Sequence, residues 1–185
     1  IKAAKIDTGG KAVLDSNGEH HWFGKLMLAT GCAPRRLAIP GGDLEGICYF
    51  RNLDDYLQIR IQAAEGISAL IVGGGFIGSE LAAALSSTLN VTMLFPDAYL
   101  CSRVFPDYLG QAVQRRFQER GISILASDKP VSFSKSDGRF LTRTANGKTI
   151  ESDLVIVGIG VAPEMALAQG AGLEVGNGIV VNQYL

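Results

Sequence analysis

The stretch "ALIVGGGFIGSELAAAL", residues 69 to 85, limits the fold more than any other part of the chain. A continuous apolar run passes through glycines into an alanine-rich segment, and the pattern predicts a strand over "SALIV" followed by a helix over 75–89. Gly73-Gly74-Gly75-Phe76-Ile77-Gly78 has GxGxxG spacing directly after a strand and at the opening of a helix, the context in which that spacing carries meaning. Gly73 permits a tight turn, Gly75 lets a pyrophosphate reach the backbone, and Gly78 lets the helix pack close to the strand. The first N–H groups of such a helix, and its dipole, favour negative charge. A tight strand-to-helix turn with no ligand is the alternative.

The flanking segments set the fold class. "NVTMLF" reads as a second strand, "PDYLGQAVQRRFQERG" as an amphipathic helix with Pro106 near its start and Gly121 past its end, and "ISIL" as a third strand. Strands alternating with helices imply a parallel sheet with right-handed crossovers, a Rossmann-like α/β fold. "PVSFSK", "GRFLTRTANG" and "KTIES" then predict a three-stranded antiparallel meander, after which "DLVIVGIG" returns as a fourth parallel strand. Upstream, "NLDDYLQIRIQAA" predicts a helix capped by Asn52, with Leu53, Tyr56, Leu57 and Ile61 at helical spacing. Residues 1–31 read as short strands, "KLMLATG" as a buried one, and "APRRLAIPGGDLEG" as a linker. The chain opens at Ile1 in strand-like sequence and ends in "GIVVNQYL", which reads as a strand just beginning, so a piece of a longer protein is expected.

Composition excludes several functions. With 17 basic and 18 acidic side chains there is no global basic surface for nucleic acid or anionic membrane. No apolar run reaches the roughly 20 residues that span a bilayer. Cys32, Cys48 and Cys101 form no CxxC pair and read as ordinary buried thiols of a reducing compartment, the cytoplasm or an organelle. His20 and His21 are adjacent and would face opposite ways in a strand, which argues against a shared metal.

Four positions accompany the glycine loop. A dinucleotide site wants an acid near the end of the second strand, but the expected position holds Phe95, and the first acid is Asp97. Asp97 is either a ribose-binding acid, reachable if the chain bends at Pro96, or a solvated turn residue. A carboxylate there would repel the 2′-phosphate of NADP and favours NAD, while nearby Arg103 could accept that phosphate. Glu80 is either a helix-start acid or a group pointing above the sheet's carboxyl edge. Gly158 and Gly160 would present a second backbone surface toward the nicotinamide end, or simply form a glycine-rich strand exit.

Together, "LMLATGCAPRRLAIPG", "IVGGGFIGSELA", "VTMLFPDAYLCSRVFPDYL" and "DLVIVGIGVAPE…GLEVGNGIVVN" resemble the flavin-dependent pyridine nucleotide-disulfide oxidoreductases. The likeness is to the branch with ferredoxin and rubredoxin reductases and apoptosis-inducing factor. It implies an FAD domain interrupted by an NAD(P)H domain: residues 1–45 and 166–185 as remnants of the former, 46–165 as the latter. It also implies that Ala29-Thr30-Gly31 lies toward the flavin, Glu80 by the nicotinamide, Gly160 under it, Asp97 on the ribose and Arg103 near the adenosine half. The implied activity is hydride transfer from NADH to FAD, with electrons passing to a ferredoxin- or rubredoxin-like carrier or a small oxidant. A homodimer fits the same picture. An NADH-responsive interaction protein is the alternative function.

Overall fold

The computed structural model describes residues 1–184. Two compact units are present, residues 34–160 and, as the other, residues 1–33 with 161–185.

The larger unit is built on a five-stranded, wholly parallel sheet. Its strands are β5 (Ile47–Tyr49), β6 (Ser68–Val72), β7 (Asn90–Leu94), β8 (Ser123–Leu125) and β12 (Leu154–Val157), in the order β5-β12-β6-β7-β8. The strands are apolar on both faces because both are covered. Ala69, Ile71, Val91, Met93, Leu154 and Ile156 pack in one cluster with Ala82, Leu89 and Leu100. The alternate residues Leu70, Val72, Leu94, Val155 and Val157 pack in another with Phe133 and Phe140. The two-residue period of a strand thus sorts one apolar run between a helical layer and a meander layer.

Helix α1 (Leu53–Gln62), α2 (Phe76–Leu85) and α3 (Asp107–Glu119) serve this sheet. The predicted meander is present as β9 (Pro130–Ser136), β10 (Arg139–Thr144) and β11 (Thr149–Ser152), paired antiparallel. Asn52 caps α1 in a reciprocal box with Asp55, as its position suggested. The apolar spacing of that helix misleads, however: Leu53, Tyr56, Leu57 and Ile61 are all exposed, and Ile59 is the buried residue. Helix α2 starts one residue later and stops four earlier than predicted. Ser86, Ser87 and Thr88 turn their hydroxyls back onto the carbonyls of Ala83, Ala84 and Leu85, which competes with further helix.

The smaller unit holds an antiparallel sheet of β1 (Ala3–Asp7), β2 (Ala12–Asp15) and β3 (His20–Trp22), the short α4 (Ala166–Gly170) and, but for Pro34, the ribbon of β4 (Cys32–Pro34) with β13 (Val161–Pro163). "KLMLATG" is not a buried strand: residues 26–31 are irregular, and Leu26 and Met27 are exposed. Nor does "GIVVN" start a strand, since its sole pairing among the described residues is an isolated bridge from Val175 to Ile179. Among the described residues no helix is long and apolar enough to cross a membrane.

Candidate functional site

From β6 the chain winds through α2, β7, α3 and β8 to one edge, then returns by the meander to β12 on the other side of β6. Ligand crevices of open α/β sheets form at such a reversal, outside the carboxyl ends of the strands. Here those ends are Gly73 and Gly158, and the Gly158 amide donates to Val72 O at 2.8 Å.

The glycines are bare for different reasons. Gly73 has φ 127°, and a Cβ on it would strike the Gly158 carbonyl; a Cβ on Gly78 would strike the Gly73 carbonyl. At Gly74 a Cβ would lie 2.6 Å from the ring of Phe95. Gly75 differs: its φ is −85°, and a Cβ there would meet nothing within 4 Å. The fold has no need of a glycine at 75, and its missing Cβ leaves clear the space in front of α2. That helix has no side-chain cap and no acid in its first turn, so among the described residues its opening N–H groups have no side-chain partner.

The space is a crevice of about 250 Å³. Of the residues singled out from sequence, Gly73, Gly75, Phe76, Asp97, Arg103, Gly158 and Gly160 line it. Gly78 is buried behind the loop, and Ile77 is half-buried with its Cγ2 facing Gly158. Glu80 is exposed, outside the first turn of α2 and not among the residues that line the crevice, so it is no helix-start acid. Ala29, Thr30 and Gly31 belong to the smaller unit, where Thr30 Oγ1 donates to Glu164 O at 2.6 Å.

The wall opposite the glycines is the segment after β7. Phe95 is fully buried beneath Gly74, which explains why the acid comes two residues late. Asp97 is half-buried and its carbonyl accepts the Ser127 amide at 2.9 Å, so the chain does bend at Pro96 to reach the crevice. Among the described residues, neither the Asp97 carboxylate nor the Arg103 guanidinium makes an ion pair. The Tyr99 hydroxyl donates to Asp107 Oδ1 at 2.6 Å; chiefly that bond, with a lesser push from Asp97, raises its pKa.

Pro96, Cys101, Ser102, Val104 and Ile159 also line the crevice and were not identified from sequence. Cys101 is buried, as read, but with φ 56°, a conformation that nothing about a cysteine announces. Cys48 is buried and Cys32 half-buried, and among the described residues none of the three thiols is in a disulfide. Elsewhere, His21 Nε2 lies 2.8 Å from Asp15 Oδ2, while His20 stacks on Trp22. Asp15 and His21 come near Glu19, but Asp15 Oδ1 already accepts the Asn17 and Glu19 amides, so the group reads as a brace of the β2–β3 hairpin. That hydrogen bond from His21 is the main cause holding the Asp15 carboxyl below the usual range.

A family model described as "Pyridine nucleotide-disulphide oxidoreductase" matches residues 1–185. The rubredoxin-NAD(+) reductase of Pseudomonas putida is 36% identical over 182 residues, 97% of this chain and 47% of that protein. The peroxisomal monodehydroascorbate reductase 2 of Oryza sativa subsp. japonica is 32% identical over 189 residues, 98% of this chain and 40% of that protein. The crystal structure of a ferredoxin reductase from Rhodopseudomonas palustris matches with a TM-score of 0.90 at 30% identity, over 98% of this chain and 45% of that one. The chain therefore spans about half the length, or less, of the proteins it matches.

Proposed function

Because this chain belongs to the pyridine nucleotide-disulphide oxidoreductase family, we propose that it is the nicotinamide-nucleotide-binding part of a longer flavin-dependent oxidoreductase. In that protein NADH is oxidised, FAD takes the hydride, and electrons leave to a ferredoxin- or rubredoxin-like carrier or to a small oxidant. The single observation that carries the reading is Gly75, bare where the fold does not require it, at the mouth of a crevice and at an uncapped helix start. A pyrophosphate fits a cradle that a Cβ would fill. The names of the similar proteins, reductases of rubredoxin, ferredoxin and monodehydroascorbate, support the acceptor classes.

The proposal gives Gly73, Gly75, Phe76, Ile77 and Gly78 to the pyrophosphate loop and the Asp97 carboxylate to the adenine ribose hydroxyls. NADH is then preferred, with Arg103 the group that would take the 2′-phosphate of NADPH. Gly158 and Gly160 form the surface toward the nicotinamide, and Glu80 stands by that end. Residues 1–45 and 166–185 are read as parts of the FAD domain and 46–165 as the nucleotide domain. Ala29, Thr30 and Gly31 are exposed, and the Thr30 hydroxyl is occupied by Glu164 O, so main chain is what they offer a flavin. A bound flavin supplies the hydride acceptor and the one-electron chemistry. This chain supplies binding and orientation, and no general base is required of it.

Titration of the folded chain with NADH and NADPH, followed by nicotinamide fluorescence, tests the reading. Saturable binding of both is expected, tighter for NADH, with Asp97→Ala weakening NADH by roughly tenfold or more. No saturable binding of either nucleotide would sink it, and unchanged affinity in Asp97→Ala would remove that residue from the site.

A further inference from the structure

Resting on the dinucleotide reading of the crevice, we propose that Cys101 is a positioning residue: it pegs the charged wall of the crevice to the glycine loop. Its φ of 56° is a left-handed conformation that a residue with a side chain adopts at a cost, which here the surrounding structure offsets. Three ties do so. The Cys101 amide donates to Gly74 O at 2.7 Å, the shortest of the main-chain hydrogen bonds made in turns and loops here. Its carbonyl accepts the Val104 and Phe105 amides, both at 2.9 Å. Its side chain is buried, with Sγ 3.8 Å from Ser79 Oγ on α2.

The arch from Phe95 to Cys101 is thus fixed at both ends against the same glycine. Phe95 lies beneath Gly74 and the Cys101 amide sits on the Gly74 carbonyl. Asp97 rides on the arch, and Ser102 and Arg103 follow directly after the second peg. A shift of Cys101 therefore moves both unpaired charges of the wall relative to the phosphate cradle. Because one charge favours NADH and the other NADPH, Cys101 controls nucleotide choice as well as affinity without touching the reacting atoms.

Kd values for NADH and NADPH are to be measured on the wild-type chain, Cys101→Val and Cys101→Gly. Valine, β-branched, resists the left-handed conformation, whereas glycine accepts it and keeps the donating amide. Cys101→Val is expected to weaken NADH about tenfold and to change the NADH-to-NADPH ratio at least about threefold, while Cys101→Gly stays within about threefold of wild type. A structural role alone would lower the melting temperature and leave the ratio unmoved; that result, with wild type binding normally, overturns the positioning role and spares the dinucleotide reading. Wild type binding neither nucleotide overturns the dinucleotide reading, and the positioning role with it. Should Cys101→Val fail to fold, amide hydrogen exchange on wild type decides. The Cys101, Val104 and Phe105 amides are expected to be protected before nucleotide is added, and protection that arises only on adding NADH would overturn the proposal.

Discussion

Gly75 and Gly78 are the same residue type, three positions apart, and a methyl group separates what they do. At Gly78 an added Cβ has no room against the Gly73 carbonyl, which is main chain and cannot swing aside. At Gly75 the added Cβ enters open crevice, and φ −85° suits any residue. Gly78→Ala is therefore expected to destabilise the chain by about 1–3 kcal/mol in urea unfolding. Gly75→Ala should unfold at the wild-type midpoint yet bind NADH at least roughly tenfold more weakly, since the methyl group would stand where the proposed pyrophosphate lies. Equal affinity for wild type and Gly75→Ala would take the phosphate out of the crevice. The glycine spacing was legible in the sequence, but which glycine the fold requires and which it leaves unconstrained is visible only in the carbonyls packed around them.

Elements were legible where local pattern and tertiary demand agree. "SALIV", "NVTML" and "DLVIV" are apolar on both faces because the sheet is covered on both, and periodicity registers that directly. "KLMLATG" carries the same propensity, but no strand of the described residues pairs with it, and propensity without a ladder partner makes no strand. Strand β5 escaped notice for the opposite reason: three residues are too short for a pattern, and its place comes from pairing with β12. On α1 the cap is stronger information than the apolar spacing. Asn52→Ala removes the side-chain oxygen that accepts the Asp55 amide but keeps the main-chain amide that donates to Asp55 Oδ2, and is expected to lower stability by about 1 kcal/mol in thermal or urea melts.

A second element-scale tie is Asp153, between β11 and β12. It accepts the Ser68 hydroxyl at 2.6 Å, the Ser68 amide at 2.8 Å and Arg139 Nε at 3.0 Å, joining the start of β6 to the meander. The Ser68 hydroxyl is the leading cause that holds its carboxyl below the usual range. A depressed folded-state pKa adds stability above the unfolded value, near 3.9, and that stability disappears as pH falls through the folded value. Asp153→Ala should therefore cost about 1–2 kcal/mol at pH 7, a modest figure because the side chain is 34% exposed. The gap to wild type should shrink as pH drops below about 4. Urea unfolding at pH 7 and pH 3 checks this, and an equal gap at both would mean that packing, not the carboxylate's charge, holds the junction.

At the scale of the molecule, residues 34–160 contain every member of both hydrophobic clusters and every residue lining the crevice. The other unit is discontinuous in sequence, and among the described residues its buried apolar ones are Ile6, Ala12 and Ala168. A core of that size falls short of what a domain needs to stand alone, whereas a doubly covered five-stranded sheet meets it. Nothing in the sequence pattern drew the line at these residues, because composition does not shift there; the line follows from which apolar residues end in which cluster. A chain comprising residues 34–160 alone is therefore expected to melt cooperatively and to bind NADH within about threefold of the 185-residue chain. Circular dichroism melts and nucleotide titration of the two chains side by side supply the comparison. A broad, uncooperative melt would show that the sheet depends on the flanking unit for its stability. A sharp melt with NADH affinity lost would locate part of the nucleotide site outside residues 34–160, and the crevice between β6 and β12 would then be only one portion of it.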